Sequence, residues 1–168
     1  MTAPLTTGRR TSWAPYAVED VRALYDDYTA LLDDGDHAGW LELFEDDALY
    51  LCIARENVER GLPLATIRCE SRGMLADRLD TLTSTQFYAR RHLRHVVSAI
   101  RPVGGDGEVL EVTASFIVAE TIVGETTQLH ASGSYADRVR AVDGALRFVE
   151  KVAIYDGALV ATSLIVPL

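Results

Sequence analysis

His37, His92, His95 and His130 are the four histidines of this 168-residue chain. Only His92-Leu-Arg-His95 puts two of them close enough in sequence to share an ion. On a helix an i, i+3 pair can chelate, but along a strand successive side chains alternate, so the two rings face opposite sides. The residues around them read as a strand, and no metal is expected there. Neither the Cys-x-His and Cys-x-x-His pattern of a Rieske cluster nor His-Glu-x-x-His nor a pair of histidines with a carboxylate is present to suggest iron or zinc. Glycine-rich phosphate loops and a Gly-x-Ser-x-Gly elbow are missing too. Cys52 and Cys69 lie too far apart for a zinc site or a disulfide framework, and a reducing cytoplasm is the compartment they predict. No redox machinery is expected on this chain, and no resident cofactor or metal.

What remains is acid–base material. Asp47, Tyr50, His95 and His130 could move protons in a dehydratase, isomerase or cyclase if an apolar cavity held them together, with Tyr28, Trp40, Phe44 and Tyr50 as its aromatic lining. The alternative is that His130 and Tyr50 are satisfied polar groups on a sheet and Asp47 a strand-start residue. A second constellation is different in kind. Tyr88-Ala-Arg-Arg-His-Leu-Arg-His95 gathers Arg90, Arg91, Arg94 and His95 at the head of a strand. Bidentate arginine contacts to the carboxylates of another subunit, or to this chain's own acidic loops, fit that cluster.

The bulk charge supports a protein partner. Sixteen basic residues against twenty-five acidic ones give a net charge of −9, which opposes nucleic acid and anionic membranes as main partners. Lys151 is the only lysine, and every other positive side chain is arginine. Codon bias explains part of this, and arginine also suits interfacial ion pairs. The chain is long enough for one domain with a core of its own. No apolar run approaches the roughly 20 residues of a membrane span, and the first residues lack the apolar stretch of a secretory signal. Residues 1–16 are expected to form a loose arm and 17–168 a single domain.

The elements that must position these groups follow from periodicity. Val18, Val21, Leu24, Tyr25, Tyr28, Leu31 and Leu32 recur at three- and four-residue steps and predict a helix ending at Asp33-Asp34-Gly35. Asp36 then caps a short helix on which Trp40, Leu43 and Phe44 share a face. Residues 48–54 read as a first strand, 57–63 as a polar loop, and 67–82 as a third helix. That third helix is expected to turn Ile67, Met74, Leu75, Leu79 and Leu82 inward and Arg72, Asp77, Arg78 and Asp80 outward. Beyond it lies a meander of strands at about 92–102, 109–122, 126–139, 146–155 and 159–166, with turns at Gly104–Gly107, Gly124-Glu125, Asp143-Gly144 and Asp156-Gly157. Helices followed by a run of strands predict an α+β domain. This order resembles the cystatin-like, SnoaL-like cone, also called nuclear-transport-factor-like, in which three N-terminal helices pack on a curved, mostly antiparallel sheet.

Several segments resemble the beta (small) subunits of aromatic-ring-hydroxylating dioxygenases. They are Leu31-Leu32-Asp33 followed by Trp40, Asp46-Asp47-Ala-Leu-Tyr50, Arg78-Leu79, Arg94-His95-Val96-Val97-Ser98, Gly133-Ser-Tyr-Ala-Asp137-Arg138, and the ending Phe148–Asp156 with Leu164–Leu168. Ala99 stands where that family often carries asparagine. The resemblance covers residues 17 to 168. It implies a structural subunit that assembles as an oligomer, expected to be a trimer, against an alpha chain holding the Rieske cluster and the mononuclear iron. It also implies that Arg90, Arg91, Arg94 and His95 meet the partner. The other reading left open is a stand-alone SnoaL-like dehydratase, isomerase or cyclase acting on a small apolar substrate.

Overall fold

A computed structural model describes residues 16–84, 89–157 and 166–168 of the chain. Helix α1 (Val18–Asp34) buries the stripe Val21, Leu24, Tyr25, Tyr28 and Leu32, as its three- and four-residue spacing requires. Glu19 and Asp20 sit at the positive end of its dipole. The helix stops at Gly35, whose φ of 75° an L side chain resists, and the Gly35 and Asp36 amides donate to the Leu32 and Leu31 carbonyls. Asp36 then caps α2 (His37–Leu41), accepting from the Gly39 amide at 2.9 Å.

After α2 come β1 (Phe44–Ala54), α3 (Arg55–Glu59), β2 (Ala65–Cys69) and α4 (Arg72–Ser84). The meander follows as β3 (Arg91–Gly105), β4 (Val109–Ile122), β5 (Gln128–Val142) and β6 (Ala145–Tyr155). The six strands form one sheet in the order β2-β1-β6-β5-β4-β3. β1 and β6 run parallel and every other neighbouring pair is antiparallel. Asp143 and Gly144, both at positive φ, make the tight turn between Val142 and its partner Ala145, as their dipeptide predicts. Helix α1 packs across the inner face against both β3 and β6, and the core fills the space between them. Gly133 is required on that face: a Cβ there would lie 2.0 Å from the Ile154 carbonyl and 2.8 Å from the Phe116 ring.

The α+β architecture agrees with expectation, but several boundaries do not. Residues 65–69, expected partly as helix, form strand β2 paired with β1, and Ile67 is buried opposite Cys52. Its Thr-Ile pair suits a pleated edge, and sheet pairing overrides the weak helical pattern before Arg72. On α4 Leu75 and Leu79 do face inward, whereas Met74 is exposed. Arg78 is half-buried instead of outward, and its guanidinium acts on Tyr50, Cys52 and Cys69. Residues 57–59, expected as the start of a polar loop, belong to the short helix α3. Phe44 belongs to β1, not to α2, because β6 draws it into register opposite Phe148. The side chain of Leu82 and the expected strand at 159–166, Val166 excepted, lie outside what the structure describes.

Candidate functional site

The interior is built around one ion pair. Lys151 on β6 and Asp137 on β5 have no exposed side-chain surface, and Nζ donates to Oδ2 at 3.0 Å. The carboxylate is further satisfied by the Tyr25 hydroxyl of α1 and by the Val152 amide at 3.0 Å. The ammonium lies over the Tyr135 ring, 2.9 Å from its centroid, with Tyr28 at 4.7 Å. Burial pulls Lys151 down to about 8, against the opposing pull of Asp137, and burial likewise pushes the Asp137 carboxyl up. Three elements, α1, β5 and β6, are thereby tied at one point, so the cluster braces the fold.

The expected pocket-lining residues sit beside this brace. Tyr28, Trp40, Phe44 and Tyr50 are without exposed surface and pack on one another, with Trp40 and Phe44 at a 4.6 Å ring separation. The Tyr28 hydroxyl donates to the Leu168 carbonyl at 2.6 Å, and the Tyr50 hydroxyl accepts from the Leu168 amide at 2.9 Å. Leu168 is itself buried, so its backbone occupies the polar end of this aromatic cage. Desolvation pushes both tyrosines well up, and Cys52 up to about 12.

The proton-transfer candidates are not brought together. Asp47 is exposed on β1 while Tyr50 is buried. His95 sits on β3 with its ring buried against Asp33: Nδ1 is 2.7 Å from Oδ1, and the His95 amide donates to both carboxylate oxygens at 3.2 Å. His130 lies elsewhere, its Nδ1 3.5 Å from a Glu120 oxygen. As strand alternation requires, His92 is exposed where His95 is buried.

The arginine cluster divides the same way. Arg91 turns inward and donates to Glu120 at 2.6 Å. Arg94 is 65% exposed, with one nitrogen 3.5 Å from Asp33, and Arg90 is exposed just ahead of the strand. Across the sheet Arg94 pairs with Ala119 and Ala119 with Leu129, while Val96 pairs with Ile117. Val96, Ile117 and Leu129 are all at least half exposed, so Arg94 stands within an outward apolar patch. A separate cleft of about 440 Å³ runs between α1 and the β5–β6 turn, lined by Asp20, Leu24, Asp27 and Leu146.

Asp33, Asp137, Tyr25 and Tyr135 were missed as site residues by sequence reading. The lone lysine was a usable signal, because a buried ammonium requires a buried carboxylate. Which aspartate it finds is decided only by the β5–β6 register. Among the described residues no cluster of three or more metal-ligating side chains occurs, and no helix is long and apolar enough to cross a membrane.

Comparison with known proteins bears on these features. Residues 29–162 match the family described as Ring hydroxylating beta subunit. The chain is 29% identical to the anthranilate 1,2-dioxygenase small subunit of Burkholderia cepacia over 89% of its own length and 92% of that protein. It is 28% identical to the beta 2 subunit of the terephthalate 1,2-dioxygenase terminal oxygenase component of a Comamonas species, over 84% and 92% of the two chains. A crystal structure of a ring-hydroxylating dioxygenase beta subunit from Novosphingobium aromaticivorans superposes with a TM-score of 0.81 at 35% identity, covering 89% of this chain and 95% of that one.

Proposed function

The chain belongs to the ring-hydroxylating beta subunit family, and from that premise we propose that it is the structural small subunit of an aromatic-ring-hydroxylating dioxygenase. Its partner is an alpha subunit, which carries the Rieske cluster and the mononuclear iron and does the chemistry on the arene. The observation that carries this reading is the filled interior. Tyr28, Trp40, Phe44 and Tyr50 pack around a satisfied Lys151–Asp137 pair, with Leu168 between the tyrosine hydroxyls. A cone built this way supports a neighbour.

The proposed contact surface is the outward side of β3 and its neighbours. Arg94 and Arg90 offer guanidinium forks to carboxylates of the alpha chain, and Val96, Ile117 and Leu129 supply the apolar area that the core of an interface needs. Arg91 and His95, engaged by Glu120 and Asp33, shape this surface from behind. Three copies of the chain are proposed to form a trimeric base for three alpha chains.

Co-expression with a Rieske-type alpha subunit tests the proposal. A mixed complex with equal numbers of the two chains is expected on size exclusion with light scattering. Arg94→Glu should lose that complex while leaving the isolated chain folded. Failure of the unmodified chain to co-purify with any iron–sulfur partner overturns the reading.

A further inference from the structure

The cleft of about 440 Å³ between α1 and the β5–β6 turn takes no part in the interior brace or in the surface offered to the alpha chain. Its floor is apolar, with Leu24 of α1 buried and Leu43 and Leu146 half-buried beside it. One wall is α1 itself, where Asp20, Ala23 and Asp27 recur at three- and four-residue steps along one exposed stripe. No arginine, lysine or histidine lines the cleft, and among the described residues neither aspartate has a hydrogen bond or an ion pair. Arg140, next to Ala141 of the cleft, is already held by both carboxylate oxygens of Glu45. Two uncommitted carboxylates over an apolar floor fit an occupant that is both basic and apolar.

The chain supplies such a segment at the rim of the cleft. Tyr16 is one of the lining residues, and its hydroxyl donates to the Glu108 carbonyl, which fixes the point where residues 1–15 join the domain. Those fifteen residues lie outside the described ones. Their sequence carries Arg9, Arg10 and Trp13 and no acidic residue, in a chain whose net charge is −9. Arg10 stands six positions before Tyr16, a reach of roughly 20 Å when extended. Tyr16 to Asp27 is eleven positions, roughly 16 Å along a helix. Both arginines can therefore reach both aspartates, and the tether presents them at the effective concentration of an intramolecular ligand.

We propose that residues 9–15 dock in this cleft of their own chain, with Arg10 on Asp20, Arg9 on Asp27 and the Trp13 indole on the floor made by Leu24 and Leu146. The docked arm straps the start of α1 to the β5–β6 turn. This site stands independently of the subunit role.

The test is limited trypsin digestion of the full chain, read by intact mass. Trypsin must take up the same guanidinium that an aspartate holds, so docking slows cleavage after Arg9 and Arg10. Asp20→Asn combined with Asp27→Asn should speed that cleavage about fivefold, the factor that two exposed ion pairs supply. Glu19→Gln combined with Asp26→Asn makes the same charge change on the same helix outside the cleft and should leave the rate unchanged. In the 15N-labelled chain, Arg9→Ala combined with Arg10→Ala should shift the amides of Ala23, Gly144 and Leu146. Refolding that labelled variant together with unlabelled native chain should not restore them. Equal cleavage of the native and Asp20/Asp27 chains, equal acceleration by the two pairs of substitutions, or unmoved cleft amides each overturns the site. Restoration by the native chain assigns the arm to a second copy, and cleft amides that move only on adding an alpha subunit assign the cleft to that partner; either result overturns it as well.

Discussion

Lys151 and Arg94 each face an aspartate, and the two pairs differ in almost everything else. Lys151 and Asp137 have no exposed side-chain surface and are joined at 3.0 Å, whereas Arg94 is 65% exposed and 3.5 Å from Asp33. In the interior each charge has given up its hydration, so either one left alone is costly. At the head of β3 water screens the pair, and the arginine remains available to something else. Charge thus differs in its setting: inside it locks α1, β5 and β6 together, and outside it leaves Arg94 exposed on the surface proposed for the alpha chain.

The sharpest way to break this contrast is to remove one interior charge. Lys151→Met strands Asp137 in the core and should cost about 3–5 kcal/mol in chemical denaturation. Adding Asp137→Asn removes the stranded charge and should recover a large part of that loss. Equal stability of the single and double variants would show that the brace is packing alone.

The same lysine gives a pH signature. Its pKa is about 8 in the folded chain against an ordinary 10.5, so between those values the unfolded chain holds a proton that the folded one has released. The penalty for burying the charge is therefore complete below about pH 8 and absent above pH 10.5. Stability attributable to this group rises with pH across the window. Denaturation at several pH values should show that rise as the difference between the native chain and Lys151→Met, because burial raises the Cys52 and Cys69 thiols and lowers stability above about pH 9 in both.

Intermediate effects are expected where the two regions meet. Asp33 caps the His95 ring and amide from the end of α1, so Asp33→Ala should destabilise by about 1–3 kcal/mol, as the loss of a part-buried charged acceptor does. Ala99 interrupts β3 at φ 52°, a left-handed conformation that costs an ordinary L residue about 1–2 kcal/mol. Ala99→Asn, the residue the family resemblance leads one to expect there, should raise stability by about 0.5–1 kcal/mol, since asparagine tolerates this conformation. At the surface, Arg94→Glu should change the thermal stability of the isolated chain by no more than about 0.5 kcal/mol while abolishing assembly with alpha.

Much of the fold was legible because its signals are local. The α1 stripe, the Gly35 stop, the Asp36 cap and the Asp143-Gly144 turn each depend on a few consecutive residues, and each is where its pattern places it. Strand β2 was not legible, since five residues of mixed pattern become a strand only when β1 lies alongside. The candidate site was legible in part. His95 drew attention as half of an arginine–histidine cluster, but Asp33, 62 positions earlier, read only as the end of a helix.

The sequence by itself determined the class of the domain, helices α1 and α2 with the turn at Asp143-Gly144, the alternation that separates His92 from His95, and the likeness to dioxygenase small subunits. Those properties follow from steric and periodic rules acting over a few residues. Only the tertiary structure decided that the sole lysine meets Asp137 rather than any other carboxylate, that Asp33 takes one nitrogen of His95 and leaves the other bare, and that Leu168 lies between Tyr28 and Tyr50. The physical reason is that partner choice between residues distant in the chain depends on strand register and on how α1 crosses the sheet. A buried charge must have a partner, but only the assembled fold selects which one it gets.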